Sequence, residues 1–190
     1  MMRIITGKAK GKKLLTLEGN ATRPTSERIK GAIFSSIQFD VEGRRVLDLF
    51  AGSGQMGLEA LSRGAELATF IDSSREAMEI VKKNSRDTGF FDRSHFLVSD
   101  YRNYIRKASG REKFDLVFID PPYALECCVE AAELLKKADL LLKGAIVCLE
   151  SGEEEISADD QRLLGFELIK STSYGKKSAV NILLYRGEEE

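Results

Sequence analysis

Val46-Leu47-Asp48-Leu49-Phe50-Ala51-Gly52-Ser53-Gly54-Gln55-Met56-Gly57 is the stretch on which the fold turns. It reads as a short apolar strand, a glycine turn and the first residues of a helix. Gly52 and Gly54 allow backbone to approach a ligand where a Cβ would collide, and the following helix offers unpaired N–H groups. Outward from it, short β-branched runs at 45–50, 67–72, 95–99, 114–120 and 145–150 alternate with helical patterns at 55–63, 75–88, 101–107 and 125–142. That rhythm predicts an α/β fold with a doubly wound parallel sheet covered on both faces. Two further strands, 166–172 and 179–185, have no room between them for a crossover helix, so they should pair antiparallel. Ahead of the sheet, Ile4-Ile5 and Leu14-Leu15-Leu17 flank a Gly- and Lys-rich turn at 7–13, which predicts a small hairpin. A helix follows, capped by Thr25 or Ser26, with Ile29, Ala32, Ile33, Phe34 and Ile37 on its apolar face.

A chain of 190 residues suits one domain, 1–190, with 1–40 as an N-terminal extension carrying the hairpin and helix. Apolar residues at 43% and charged residues at 31% exclude a disordered or collagen-like chain. No apolar run is long enough for a membrane span and the N-terminus lacks a secretory h-region, so a soluble cytoplasmic protein is expected. Cys127, Cys128 and Cys148 fit no zinc spacing and His95 is the lone histidine, so reduced, packed thiols and no metal are expected. Charge is unevenly spread. Residues 1–30 carry Arg3, Lys8, Lys10, Lys12, Lys13, Arg23, Arg28 and Lys30 against Glu18 and Glu27. Of a net charge of −1, this end therefore holds +6 and the remainder −7. A localised basic segment is the footprint of a surface that meets phosphates; its bland alternative is a solvated hairpin.

Gly52, Gly54 and Gly57 also satisfy G-x-G-x-x-G, and Asp72 follows at the distance expected of a ribose ligand, so a nicotinamide dinucleotide is one reading. Asp48 argues for another. A carboxylate near the end of the first strand suits an α-ammonium, which S-adenosyl-L-methionine carries, and is less natural beside a pyrophosphate. Asp72 would then take the ribose and Asp100 the adenine amine. All three acids end strands, the edge of an open α/β sheet where ligands sit. Each could instead cap the helix after it.

The fourth strand runs into Asp120-Pro121-Pro122-Tyr123. Two prolines fix φ and remove two donors, making a rigid corner that keeps its carbonyls as acceptors. A planar exocyclic NH₂ can donate to the Asp120 carboxylate and the Pro121 carbonyl while Tyr123 stacks on the ring. Because the lone pair of such an amine is conjugated into the ring, the site must supply alignment and stabilise developing positive charge. The alternative is a plain Asp-Pro turn.

Further stretches narrow the reading: Arg3-Ile4-Ile5-Thr6-Gly7 with Gly11 and Leu14; Arg23-Pro24-Thr25 with Arg28; 48–54 continuing into Gly57-Leu58-Glu59-Ala60-Leu61-Ser62-Arg63-Gly64; and Tyr174-Gly175. With the Asp-Pro-Pro-Tyr corner, the chain resembles the bacterial small-subunit ribosomal RNA guanine-N2 methyltransferases. These are class I, S-adenosylmethionine-dependent enzymes with a seven-stranded Rossmann-like sheet. The resemblance implies 16S rRNA as substrate, met in a partly or fully assembled small subunit. It implies a cofactor site of Asp48, Phe50, Ala51, Gly52, Ser53, Gly54, Asp72, Ser73, Asp100, Tyr101 and Thr25. The catalytic corner would be Asp120, Pro121, Pro122 and Tyr123, and the RNA surface Arg3, Lys8, Lys10, Lys12, Lys13, Arg23 and Arg28. The chain departs from the family where Lys30-Gly31 replace the usual Arg-Glu, Asp72 the usual Glu, and Tyr101 a small residue. Beside this reading stand an adenine-N6 nucleic-acid methyltransferase, which could use the same amine clamp, and a catalytically silent RNA-binding assembly factor.

Overall fold

Residues 2–17, 27–122, 125–152, 154–175 and 178–187 are described by the structure, a computed structural model. Among the described residues, seven strands are threaded by five α-helices: α1 Glu27–Ser36, β1 Arg45–Asp48, α2 Gln55–Ser62, β2 Leu67–Asp72, α3 Arg75–Thr88, β3 Ser94–Val98, α4 Tyr101–Ala108, β4 Phe114–Ile119, α5 Cys128–Lys137, β5 Leu141–Ser151, β6 Phe166–Ser173 and β7 Ala179–Tyr185. They form one sheet in the order β3-β2-β1-β4-β5-β7-β6. The pairs from β3 to β5 are parallel, and β7 runs antiparallel to both β5 and β6, as its short connection requires. Strand order therefore reverses between β1 and β4. The crevice beyond their carboxyl ends is where such a sheet offers a ligand site.

Alternation along the strands divides the core in two. Val46, Leu116, Phe118, Ile146 and Cys148 face the hairpin, α1, α2 and α3. Leu47, Leu49, Val117, Ile119, Val147 and Leu149 face α4 and α5. All three cysteines are buried thiols. Burial pushes the Cys148 thiol up to about 12, so it stays protonated.

Two expectations need correction. The helix foreseen at 125–142 runs only Cys128–Lys137. It ends in a Schellman turn, with Leu140 N–H donating to Leu135 O at 3.1 Å, Asp139 N–H donating to Lys136 O at 2.9 Å, and Asp139 in the left-handed region at φ 56. Leu141 and Leu142 then open β5 instead. Lys30, counted above as surface charge, is 0% exposed. Its ammonium donates to Arg3 O at 2.6 Å and lies 3.5 Å from Glu59 Oε2, itself fully buried. Burial lowers the Lys30 pKa, and Glu59 opposes that shift.

Glu59 is the hub of this contact. Its carboxylate also accepts Ile5 N–H at 2.7 Å, Thr6 N–H at 3.0 Å and Arg63 Nε at 2.8 Å. The hairpin itself is minimal, held by Ile4 N–H to Lys12 O, Gly11 N–H to Ile4 O and Leu14 N–H to Met2 O, each 2.9 Å, around one bridge, Arg3 to Lys13. Its fixed place comes from α2: Ser62 Oγ donates to Thr6 O, and Ala9 N–H donates to Ser62 Oγ. The Thr25 or Ser26 cap of α1 lies outside the described residues.

Candidate active site

The carboxyl ends of β1, β2, β3 and β4 meet in a cleft of about 230 Å³. Of the residues the sequence singled out, Asp48, Phe50, Ala51, Gly52, Ser53, Asp72, Ser73, Asp100 and Tyr101 line it, together with Asp120, Pro121 and Pro122. Thr25, Arg23 and Tyr123 lie outside the described residues. Exposed Arg3, Lys8, Lys10, Lys12 and Lys13 belong to the hairpin, and exposed Arg28 to α1; none of these lines the cleft.

The turn after β1 is built from two differently employed glycines. Gly52 has φ 54, and a Cβ there would project into open space, so the glycine keeps a cleft wall bare. Gly54, expected to face a ligand, instead backs onto the core: at φ 77 its Cβ would stand 2.9 Å from Val81 Cγ1, and it does not line the cleft. Gly57 lets α2 pack onto β2, since a Cβ there would stand 2.4 Å from Phe70 Cε1.

Asp48 is 2% exposed, and its carboxylate accepts Gly57 N–H at 3.0 Å in the first turn of α2. Burial pushes its pKa up to about 7; the Gly57 bond opposes the shift and Asp72 adds to it. A cationic partner would restore the charge. Asp72 orders the loop around it: Oδ2 accepts Gly52 N–H at 2.8 Å and Oδ1 accepts Ser74 N–H at 2.8 Å. One bond on each oxygen leaves lone pairs for a vicinal diol. Asp100 is a helix cap as well as a cleft residue, Oδ1 accepting Arg102 N–H at 3.0 Å and Asn103 N–H at 3.3 Å.

Beside it stands an aromatic wall. The Tyr101 ring lies 5.1 Å from that of Phe50, and the Arg102 guanidinium covers Tyr101 at 4.6 Å. Arg102 is fixed there by a two-point pair with Glu130, at 2.7 and 2.6 Å. A planar heterocycle fits such a wall.

Across the strand reversal, Asp120 is half-buried and Pro121 buried. The corner is not wholly open as an acceptor, because Pro122 O takes Leu125 N–H at 2.9 Å. Sequence reasoning missed Thr16, Leu17, Leu49, Gln55, Met56, Ser99, Arg102 and Leu125, which line the same cleft. Gln55 and Met56 adjoin the glycine turn and could have been found; Thr16 and Leu17 arrive only through the docking of the hairpin.

A buried acid for an ammonium, a second acid for a ribose, a bare glycine wall and an aromatic face meet at the reversal of a seven-stranded sheet. The class that fold and cleft define is the class I methyltransferases that use S-adenosylmethionine. Comparison with known proteins agrees. The profile of the family described as Conserved hypothetical protein 95 matches residues 2–183. Ribosomal RNA small subunit methyltransferase D of Escherichia coli strain K12 is 32% identical over 153 residues, covering 80% of this chain and 76% of the relative. YlbH of Bacillus subtilis strain 168 is 35% identical over 154 residues, covering 80% and 84%. The solved yhhF structure from Escherichia coli superposes with a TM-score of 0.85 at 28% identity, covering 99% of both chains. The chain belongs to the bacterial small-subunit rRNA methyltransferase D family.

Proposed function

We propose that this protein methylates the exocyclic N2 amine of a guanine in 16S rRNA, within a partly or fully assembled small subunit, working in the cytoplasm. One observation carries the reading: the Asp120-Pro121-Pro122 corner ends β4 on the same cleft as Asp48 and Asp72. An amine held at that corner faces the site whose acids suit S-adenosylmethionine. Asp48 suits the amino end of that cofactor, Asp72 its ribose, and Phe50 and Tyr101 its adenine. When bound, the cofactor supplies a methyl group activated on a sulfonium.

The protein's own residues do the rest. The Asp120 carboxylate accepts one N–H of the amine and the Pro121 carbonyl the other, which orients the nitrogen. As the methyl carbon bonds to that nitrogen and parts from the sulfonium, which would be left as a neutral thioether, Asp120 stabilises the positive charge growing on the nitrogen, and the surplus N–H proton then passes to Asp120 or to water. The base must be unstacked to reach the cleft, and the exposed Arg3, Lys8, Lys10, Lys12 and Lys13 of the hairpin offer a basic surface to hold the RNA backbone.

Incubation of the protein and labelled S-adenosylmethionine with small subunits lacking the modification tests this. Label should appear as N2-methylguanosine, and Asp120→Asn should slow transfer by roughly a hundredfold or more. Label in N6-methyladenosine, or no transfer at any enzyme concentration, rejects the reading.

A further inference from the structure

Asn84 lies in the middle of α3, 1% exposed, and nothing in the chemistry above uses it. Asparagine is a poor helix former, and an apolar residue would fill the same core position. Its amide is instead spent on two separate parts of the molecule. Oδ1 accepts Leu15 N–H at 2.8 Å, while Nδ2 donates to Leu15 O at 3.0 Å and to Ser53 O at 2.9 Å. The pair with Leu15 reproduces the two bonds a neighbouring strand would make. The bond to Ser53 reaches the glycine turn. Both ends matter to the cleft, since Ser53 lines it and so do Thr16 and Leu17, which follow Leu15. A second link runs parallel, from Ser53 Oγ to Met2 Sδ at 3.2 Å.

We propose that Asn84 is a positioning residue that couples the seating of the cofactor on the glycine turn to the placement of the hairpin's outgoing strand. The amide is planar and its two N–H directions are fixed, so the carbonyls of Ser53 and Leu15 are held in one geometry by one group. A ligand that steadies Ser53 thereby steadies residues 14–17, and by linkage an ordered hairpin tightens the ligand. The hairpin and the glycine turn behave as one body. This coupling goes beyond the RNA reading and stands on the cofactor class alone, so its test contains no RNA.

Hydrogen exchange followed by mass spectrometry, with and without S-adenosylhomocysteine, is measured on wild type, Asn84→Asp and Asn84→Ala at pH 8. Calorimetric affinities for the same ligand accompany it. In wild type the ligand should slow exchange severalfold in peptides covering residues 2–17. A carboxylate at 84 still accepts from Leu15 N–H but has nothing to donate to Leu15 O or to Ser53 O, and its charge faces both carbonyls. In Asn84→Asp the ligand-free hairpin should therefore keep one of its two bonds to Leu15 and only part of its wild-type protection, while the ligand-induced increment disappears. Affinity should fall about tenfold, as for one lost buried hydrogen bond. Asn84→Ala should lose both the resting protection and the increment, with β6 and β7 peptides unchanged. The proposal is overturned if the ligand leaves residues 2–17 of wild type unprotected, or if Asn84→Asp keeps the full increment. Should either variant fail to fold, the other variant and the wild-type exchange with and without the ligand decide.

Discussion

Cofactor binding should weaken about tenfold between pH 8 and pH 6, through Asp48 alone. Its carboxyl is 2% exposed, and burial raises its pKa to about 7 against one opposing bond from Gly57. A raised carboxyl pKa means that, between about pH 4 and pH 7, the folded protein holds a proton the unfolded chain has released. The stability this confers is full below about pH 4 and is lost as pH rises through 7; a bare charge there costs roughly 4 kcal/mol. The cationic end of S-adenosylhomocysteine selects the ionised form. With a pKa near 7, the ionised fraction is about nine-tenths at pH 8 and about one-tenth at pH 6, hence the tenfold change in Kd. Titration calorimetry at pH 6, 7 and 8, in two buffers of different ionisation enthalpy, measures both Kd and the proton count. Near pH 7, binding should release about half a proton. In Asp48→Asn the Kd should be weaker and flat across the range. A wild-type Kd that varies less than twofold from pH 6 to pH 8, or a slope that survives in Asp48→Asn, would refute the assignment of the ammonium to Asp48.

Glu59→Ala should cost about 3–5 kcal/mol in urea unfolding, because it strands the Lys30 ammonium in the core and takes their acceptor from the part-buried Ile5 and Thr6 N–H groups. Lys30→Met should cost about 2 kcal/mol or less, since Glu59 keeps Ile5, Thr6 and Arg63; the reverse order of losses contradicts the buried network. Gly57→Ala gains helix propensity but meets Phe70 Cε1 at 2.4 Å, so a net loss of about 1 kcal/mol or more is expected; equal or greater stability counts against that packing. Replacing Lys10, Lys12 and Lys13 by Ala should lower the slope of log affinity for RNA against log salt by about 2 while leaving S-adenosylhomocysteine binding unchanged. A slope identical to wild type removes the hairpin from the RNA surface.

What could be read from the residues was whatever is written locally. The run 46–57 announces strand, turn and helix because its period changes and its glycines fall together. The pair β6 and β7 is legible because no helix fits between them. Likewise α3 ends where expected, at Gly89 with φ 80, a position glycine advertises. The end of α5 uses Asp139 in the same left-handed region, and an aspartate gives no such notice, so Leu140, Leu141 and Leu142 read as more helix. Lys30 shows a second limit. Nothing in its neighbours on the chain tells that Glu59 and Arg3 O wait for its ammonium in the core; that is a product of docking the hairpin on α2. For the same reason Thr16, Leu17 and Asn84 were invisible as cleft or linking residues, whereas Asp48, Asp72 and Asp120 were legible because strand ends converge in any sheet of this order.

Nucleoside mass spectrometry of 16S rRNA bears most directly on the amine clamp, comparing cells that carry wild-type protein, an Asp120→Ala variant that still binds S-adenosylhomocysteine, or neither. N2-methylguanosine should be present with wild type and missing from the other two. An unchanged level in all three, or a mark on adenine N6 in its place, would contradict the account.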